Sequence, residues 1–347
     1  QLFVRSGSAF EGRSNSGLHH LLEHMLFRGG AADRVAESAG SFLNATTNRE
    51  STRYFCEGPG GSWKQGIAAV AELISKPNFA GFSLEVPVIR QENTLARLAS
   101  SARAERQLWQ AFGGSTGWAL PPGGLEKGPS PISATDLEKV YRAEYVGPNM
   151  VFAISGPFSE AEAISAATEA FKSVPLGIES KAPALPLFEA ASTEGEPGAY
   201  AIGVLAPGFD DIQRYAAFQV VWEWLTGAGG LCDAAGIRCD AAFGPSSMGA
   251  LATVVIWADE AKAREILAKV AGGLAETDIQ TMKKRLRARY ERLAREPSQA
   301  AALAGLGILF AGRRIDMAQA IQSATADKIR AEAALFVPEK AIVAVAK

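Results

Sequence analysis

The sequence predicts an α+β fold built as two homologous α/β-sandwich domains, each a mixed sheet covered by helices and related by internal duplication. Length is the first of three observations behind this: 347 residues exceed one ordinary domain and suit two. Short β-patterned runs mixed with amphipathic helical stretches are the second. The third is a repeat: Ser133-Ala134-Thr135 returns as Ser323-Ala324-Thr325, and Pro148 as Pro338, at the same offset of 190 residues. Both prolines precede an apolar strand, and Arg142-Ala143-Glu144 recurs as Arg330-Ala331-Glu332, slipped by two. Each copy reads as a Thr-capped helix, a proline and a strand. Laid over the second copy, the first lacks roughly 30 residues ahead of Gln1. Gln1–Arg5 also reads as the middle of a strand, so a processed or missing N-terminal segment is expected.

Taken in order, the first half predicts a strand over Leu2–Arg5 and a helix over Gly17–Arg28. Asn15 or Ser16 is the candidate N-cap of that helix, and Gly29-Gly30 its stop. Strands at Ser41–Asn44 and Ser51–Cys56 follow, then a helix at Trp63–Ile74 and a long helix over Leu84–Phe112. The half closes with a helix (Thr135–Tyr145), a strand (Met150–Ser155) and a helix (Glu160–Lys172). A stretch rich in Pro, Ala, Ser, Gly and Glu marks the boundary, giving an N-terminal domain at 1–180, a linker at 181–197 and a homologous domain without metal at 198–347. The apolar run Ala300–Gly312 has 13 residues, too few to span a membrane, and reads as a buried helix.

Composition excludes several classes of function. With 48% apolar and 21% charged residues the chain is not disordered. A balance of 35 basic and 37 acidic residues gives no electrostatic case for nucleic acid or anionic lipid. The basic series from Lys283 to Arg295 is interleaved with Leu286, Tyr290 and Leu293, and reads as the solvated face of a helix. Three cysteines, Cys56, Cys232 and Cys239, make no disulfide framework and favour a reducing compartment.

The chemistry concentrates in one segment. All three histidines fall within Gly17-Leu-His19-His20-Leu-Leu-Glu23-His24-Met-Leu-Phe-Arg28. At ~100° per residue, Leu18, Leu21, Leu22, Met25 and Leu26 form an apolar stripe, with His20, Glu23 and His24 on the other side. Two imidazoles at i and i+4 can share one metal ion, with Glu23 beside them as general base, in the His-x-x-Glu-His order of a catalytic zinc helix. His19 points to the edge of the stripe and reads as a structural neighbour. A catalytic zinc site takes three protein ligands and an open position. With the histidines spent, the third ligand is a carboxylate from elsewhere, and the long helix offers Glu85 and Glu92, which share a face.

The run Gly17–Gly29 resembles the zinc helix of the pitrilysin/insulinase-type metallopeptidases, the inverted zincins, and the duplicated layout resembles theirs throughout. The resemblance implies Zn2+ held by His20, His24 and Glu92, with Glu85 as a second functional carboxylate. It also implies that Asn44 and Ala45, in Leu43–Glu50, lie on an edge strand that pairs with extended substrate, and that Glu105 reads a basic residue of presequences. Leu309-Phe-Ala-Gly-Arg-Arg-Ile315 is similar to the processing-peptidase beta and complex III core 1 subtype. That similarity implies a zinc endopeptidase subunit for presequence processing, or alternatively a structural core subunit of respiratory complex III. A third possibility is the zinc subunit of a bacterial two-subunit peptidase. The implied partners are a homologous, non-identical subunit of the alpha or core 2 type, a peptide substrate and complex III subunits, with no nucleic acid. The implied location is the mitochondrial matrix or the matrix face of the inner membrane, or else a bacterial cytoplasm or periplasm. The relatives' substrate-holding Arg and Tyr are replaced here by Cys232 and Cys239.

Overall fold

The computed structural model describes residues 1–75, 77–125 and 132–346. Its elements begin with β1 (Leu2–Val4), α1 (Leu18–Phe27), α2 (Ala31–Ser38), β2 (Phe42–Thr47), β3 (Thr52–Glu57) and α3 (Trp63–Ser75). Next come α4 (Glu85–Ala96), α5 (Ala102–Gly113), α6 (Ala134–Glu144), β4 (Met150–Phe152), α7 (Glu160–Ala170) and β5 (Ala191–Glu194). They continue with β6 (Tyr200–Ala206), α8 (Ile212–Thr226), α9 (Leu231–Ala234), β7 (Cys239–Ala242), β8 (Ala250–Ile256) and α10 (Glu260–Ala271). The last are α11 (Glu276–Leu293), α12 (Pro297–Ala311), α13 (Met317–Ser323), α14 (Ala326–Ala333) and β9 (Ile342–Val345). Among the described residues no helix is long and apolar enough to cross a membrane.

Two compact units make up the chain. Gln1–Leu95, Leu120–Pro183 and Arg295–Arg314 form the first, and Ala96–Ala119, Ala184–Ala294 and Ile315–Lys347 the second. The contiguous halves expected from the sequence are therefore corrected: α5 belongs to the second unit and α12 to the first. Packing is the reason. The buried face of α5 (Ala104, Leu108, Trp109, Phe112) lies on the sheet of β5, β6, β8 and β9, whereas α12 lies on β1 and β4.

The sheet of the first unit has the order β2-β3-β1-β4, antiparallel throughout, with Leu2 opposite Tyr54 on one side and Phe152 on the other. The second unit has the order β5-β9-β6-β8-β7. Without β5, which pairs in parallel with β9, the connectivity of the two sheets is the same, as a duplication requires. All of β1 is buried because its sheet is covered on both faces. Leu2 and Val4 pack into the core with Leu18, Leu22 and Tyr54, while Phe3 points the other way toward Ala301 and Leu309 of α12. A Cβ at Gly305 would lie 2.2 Å from Cε2 of Phe3, so the close approach of α12 requires glycine there. In the apolar run predicted as a buried helix, Ala301, Gly305, Gly307 and Leu309 are buried, whereas Ile308 is exposed.

Four further corrections concern local structure. The long helix predicted over Leu84–Phe112 is two helices, α4 and α5, separated at residues 97–101. Neither Asn15 nor Ser16 caps α1; its N-cap is Gly17, at φ 89°, with no side-chain hydrogen bond of its own. In the first repeat the helix is capped by Ser133 in a capping box with Asp136 rather than by a threonine, whereas Thr325 does cap α14. Cys232 and Cys239 are joined in a disulfide, against the reading of the cysteines as reduced: α9 and the start of β7 bring their Cα atoms to 6.3 Å. Cys56 is free.

Candidate metal centre

The stripe predicted on α1 is the buried one: Leu18, Leu21, Leu22 and Met25 are all within 2% exposure. The helix stops where Gly29 and Gly30 take positive φ. Its N-terminus is satisfied from a distance. The Glu11 carboxylate accepts the N–H of Gly17 at 2.7 Å and that of His19 at 2.9 Å. Nδ1 of His19 also reaches Glu11, at 2.9 Å, and its Nε2 reaches Glu144 at 3.0 Å. Burial opposes a charge on this ring, but the two carboxylates outweigh it and hold its pKa up at about 9.

One turn on, His20 and His24 stand with Nε2 atoms 3.3 Å apart. Oε2 of Glu92, on α4, lies 3.5 Å from the first and 3.3 Å from the second. Among the described residues these three are the group of His, Cys, Asp or Glu side chains whose donor atoms converge closely enough to hold a metal ion. Tetrahedral coordination with bonds near 2.05 Å puts ligand atoms about 3.3 Å apart, so the triangle has the size that zinc takes. Burial, helped by His24 alongside, lowers the pKa of His20 to about 4, which keeps its ring neutral and its lone pair available. Nδ1 of His20 is buried without a hydrogen-bond partner.

The flanking carboxylates have distinct surroundings. Glu85 lies 3.5 Å from Nδ1 of His24 and accepts from Nη1 of Arg28 at 2.9 Å, linking α4 to both ends of one α1 turn. Glu23 is 8% exposed, and burial raises its pKa while the Thr47 hydroxyl, donating to Oε2 at 2.5 Å, works against the rise.

These side chains line an open cleft of about 610 Å³ together with Phe27, Arg28 and residues 42–45 of β2. In the sheet β2 is paired with β3 alone, so its other edge is open. The Ala45 N–H donates to Oδ1 of its neighbour Asn44 at 2.8 Å. Of the residues singled out in the sequence, His20, Glu23, His24, Asn44, Ala45, Glu85 and Glu92 therefore line one cleft. Glu105 is not among them; it sits on α5 in the second unit, beside Ser100, Arg238 and Asp240.

Thr47, Arg28 and Glu11 were missed by reading the sequence. Thr47 had a signal: with Leu43 and Ala45 it alternates onto the face of β2 turned away from solvent. In the predicted basic helix, Arg289 forms a two-point pair with Glu223 and Arg287 pairs with Glu291, as a structural and solvated face would.

The model of the family described as Insulinase (Peptidase family M16) matches residues 1–111, and that of the Peptidase M16 inactive domain matches residues 131–248. The probable mitochondrial-processing peptidase subunit beta of Arabidopsis thaliana is 24% identical over 49% of this chain and 34% of its own length. Cytochrome b-c1 complex subunit 1 of Rattus norvegicus is 25% identical over 50% of this chain and 38% of its own. The chain thus spans well under half the length of these two relatives. A protease from Helicobacter pylori shares the fold at a TM-score of 0.81 and 18% identity, over 100% of this chain and 92% of that one.

Proposed function

We propose that this chain, which belongs to peptidase family M16, is a zinc endopeptidase subunit that cleaves extended peptides in the manner of a mitochondrial processing peptidase beta subunit. One observation carries the reading: the donors of His20, His24 and Glu92 form a triangle of zinc-site size beside a buried, oriented Glu23. Zinc in such a site supplies Lewis acidity, which polarises a carbonyl and makes water more acidic. The rest is the work of the chain. Glu23 takes the proton of the attacking water and passes it to the leaving amine, with Thr47 holding one carboxylate oxygen so that the other faces the cleft. Glu85, steadied by Arg28, fixes the His24 ring. The open edge of β2 receives the substrate backbone as an added strand, with the Ala45 N–H exchanging Asn44 for a substrate carbonyl.

A second reading is favoured by the similarity to cytochrome b-c1 complex subunit 1: a core subunit of complex III, with or without peptidase activity. A third reading, a zinc subunit of a bacterial two-subunit peptidase, rests on the same donor triangle, and the Helicobacter protease shares its fold. The first two carry a mitochondrial location and a homologous, non-identical partner. Purification of the chain from its native source, followed by cleavage assays on presequence-like peptides with and without a zinc chelator, separates the readings. Chelator-sensitive cleavage supports the peptidase. Cytochromes co-purifying with an inactive chain would replace it with the complex III reading.

A further inference from the structure

We infer that Glu11, His19 and Glu144 form a buried clamp that positions α1 so that its two histidines meet Glu92; the inference rests on the reading of those donors as a zinc site. His19 is one residue from His20, and both its backbone and its ring are tied down. Its N–H and Nδ1 both face the Glu11 carboxylate, whose other oxygen accepts the Gly17 N–H, while Nε2 faces Glu144 at the end of α6. The side chains of His19, Glu11 and Glu144 are 1%, 0% and 12% exposed, so solvent hardly competes for these bonds. Glu11 takes over the work of the missing N-cap and sets a negative charge at the positive end of the helix.

Two arguments make this a positioning device rather than only a brace. His20 and His24 share a helix, so their mutual spacing follows from helix geometry. Their distance to Glu92, on α4, depends instead on the rotation and axial position of α1 within the unit. Binding constellations tolerate errors of about 0.5 Å or 10–20°. At its C-terminal end α1 is tied to α4 by Arg28 and Glu85, so the clamp supplies the other point that a rigid rod needs. The second argument is energetic. A buried charged cluster seldom stabilises more than well-packed apolar residues would, so its return is more readily a defined geometry than added stability.

The test measures zinc affinity directly, with zinc alone as probe and a chromophoric chelator as competitor, on metal-stripped protein whose folded fraction is followed by circular dichroism. Glu144→Ala should weaken zinc binding on the order of tenfold in protein that remains folded. Glu144→Gln, which keeps an acceptor for Nε2–H, should recover most of that loss. Glu11→Asp keeps the charge but shortens its reach, and should weaken zinc binding similarly; it replaces Glu144→Ala if that variant does not fold. Wild-type affinity in folded Glu144→Ala and Glu11→Asp, or losses matching only the unfolded fraction, would overturn the positioning role and leave the zinc site standing. A wild-type chain that takes up no zinc would overturn both.

Discussion

The hydroxyl of Thr47 donates to Oε2 of Glu23 across the gap between β2 and α1, so the edge strand and α1 are joined at the carboxylate proposed to move the proton. Thr47→Val keeps the shape and removes the donor. The expected result is a fall in kcat of about tenfold with KM and zinc content little changed, because one charge-assisted hydrogen bond is worth roughly 1.5–3 kcal/mol and only the orientation of the base is lost. A change confined to KM would move Thr47 from the base to substrate binding.

Glu23 lies outside the converging donor triangle and is proposed to act on water rather than to bind metal. Glu23→Gln should retain zinc and lose at least about 100-fold in peptide cleavage. His24→Ala should instead lose the metal, as metal analysis of the dialysed protein would register. Zinc retained in His24→Ala would refute the ligand set, and full activity in Glu23→Gln would refute the base.

How much of this was legible in the sequence depends on range. The spacing of His20, Glu23 and His24 along α1 and the phase of Leu18, Leu21, Leu22 and Met25 are properties of a single helix, and three turns of sequence display them. The repeated strand order follows from a duplication visible at Ser133 and Ser323. What was not legible is long-range or hidden in phase. Ile89, Asn93, Ala104 and Leu108 are all buried, and their steps of four, eleven and four residues fit one uninterrupted helix. The break at 97–101 therefore leaves no mark in the periodicity: the two halves bury the same stripe against different units. Glu11 is six and eight residues ahead of the two N–H groups it accepts, beyond the reach of any local capping rule. Cys232 and Cys239 pair because α9 and β7 meet, and composition alone counted too few cysteines to expect it.

His19 gives the metal-free protein a pH dependence of stability. Its folded-state pKa, about 9, lies above the ordinary 6.5, burial working against the charge and Glu11 and Glu144 for it. The stabilisation is therefore fully present below pH 6.5 and is lost as pH rises through 9; its size is roughly 3 kcal/mol. Urea unfolding at pH 6 and pH 9.5 should differ accordingly, and Glu144→Ala should narrow the difference. A stability that does not fall across this interval would show that the ring is not held as a cation.

Gly305 faces the ring of Phe3, which is fully buried and has no room to retreat. Gly305→Ala should destabilise the first unit by about 1–3 kcal/mol through overpacking, despite the better helix propensity of alanine. Gly305→Ala combined with Phe3→Leu should recover part of that loss if the clash is the cause, since the smaller side chain vacates the contact. An equally unstable double variant would place the effect elsewhere.

Turnover is expected to need a second, non-identical subunit. The resemblance to the peptidase family puts a carbonyl-holding Arg and Tyr where Cys232 and Cys239 stand, and here the two sulfurs are bonded to each other. A disulfide offers neither a cation nor an O–H donor to a developing oxyanion, and loss of one such donor costs about 100- to 1,000-fold in kcat. Arg238, inside the loop the disulfide closes, does not fill the gap: its guanidinium is engaged by Asp240 at 2.8 Å and by the Ser100 hydroxyl. A homodimer would repeat the deficiency, so the proposed source of the missing donors is a related chain that carries them. Purified alone, the chain should bind zinc and cleave presequence-like peptides poorly; the purified partner, inactive by itself, should restore turnover on addition. Mutating the Arg of that partner should then abolish the gain while leaving the zinc content of this chain unchanged. Full activity from a verified monomer or homodimer would show that the cleft formed by α1, α4 and β2 stabilises the oxyanion without those donors.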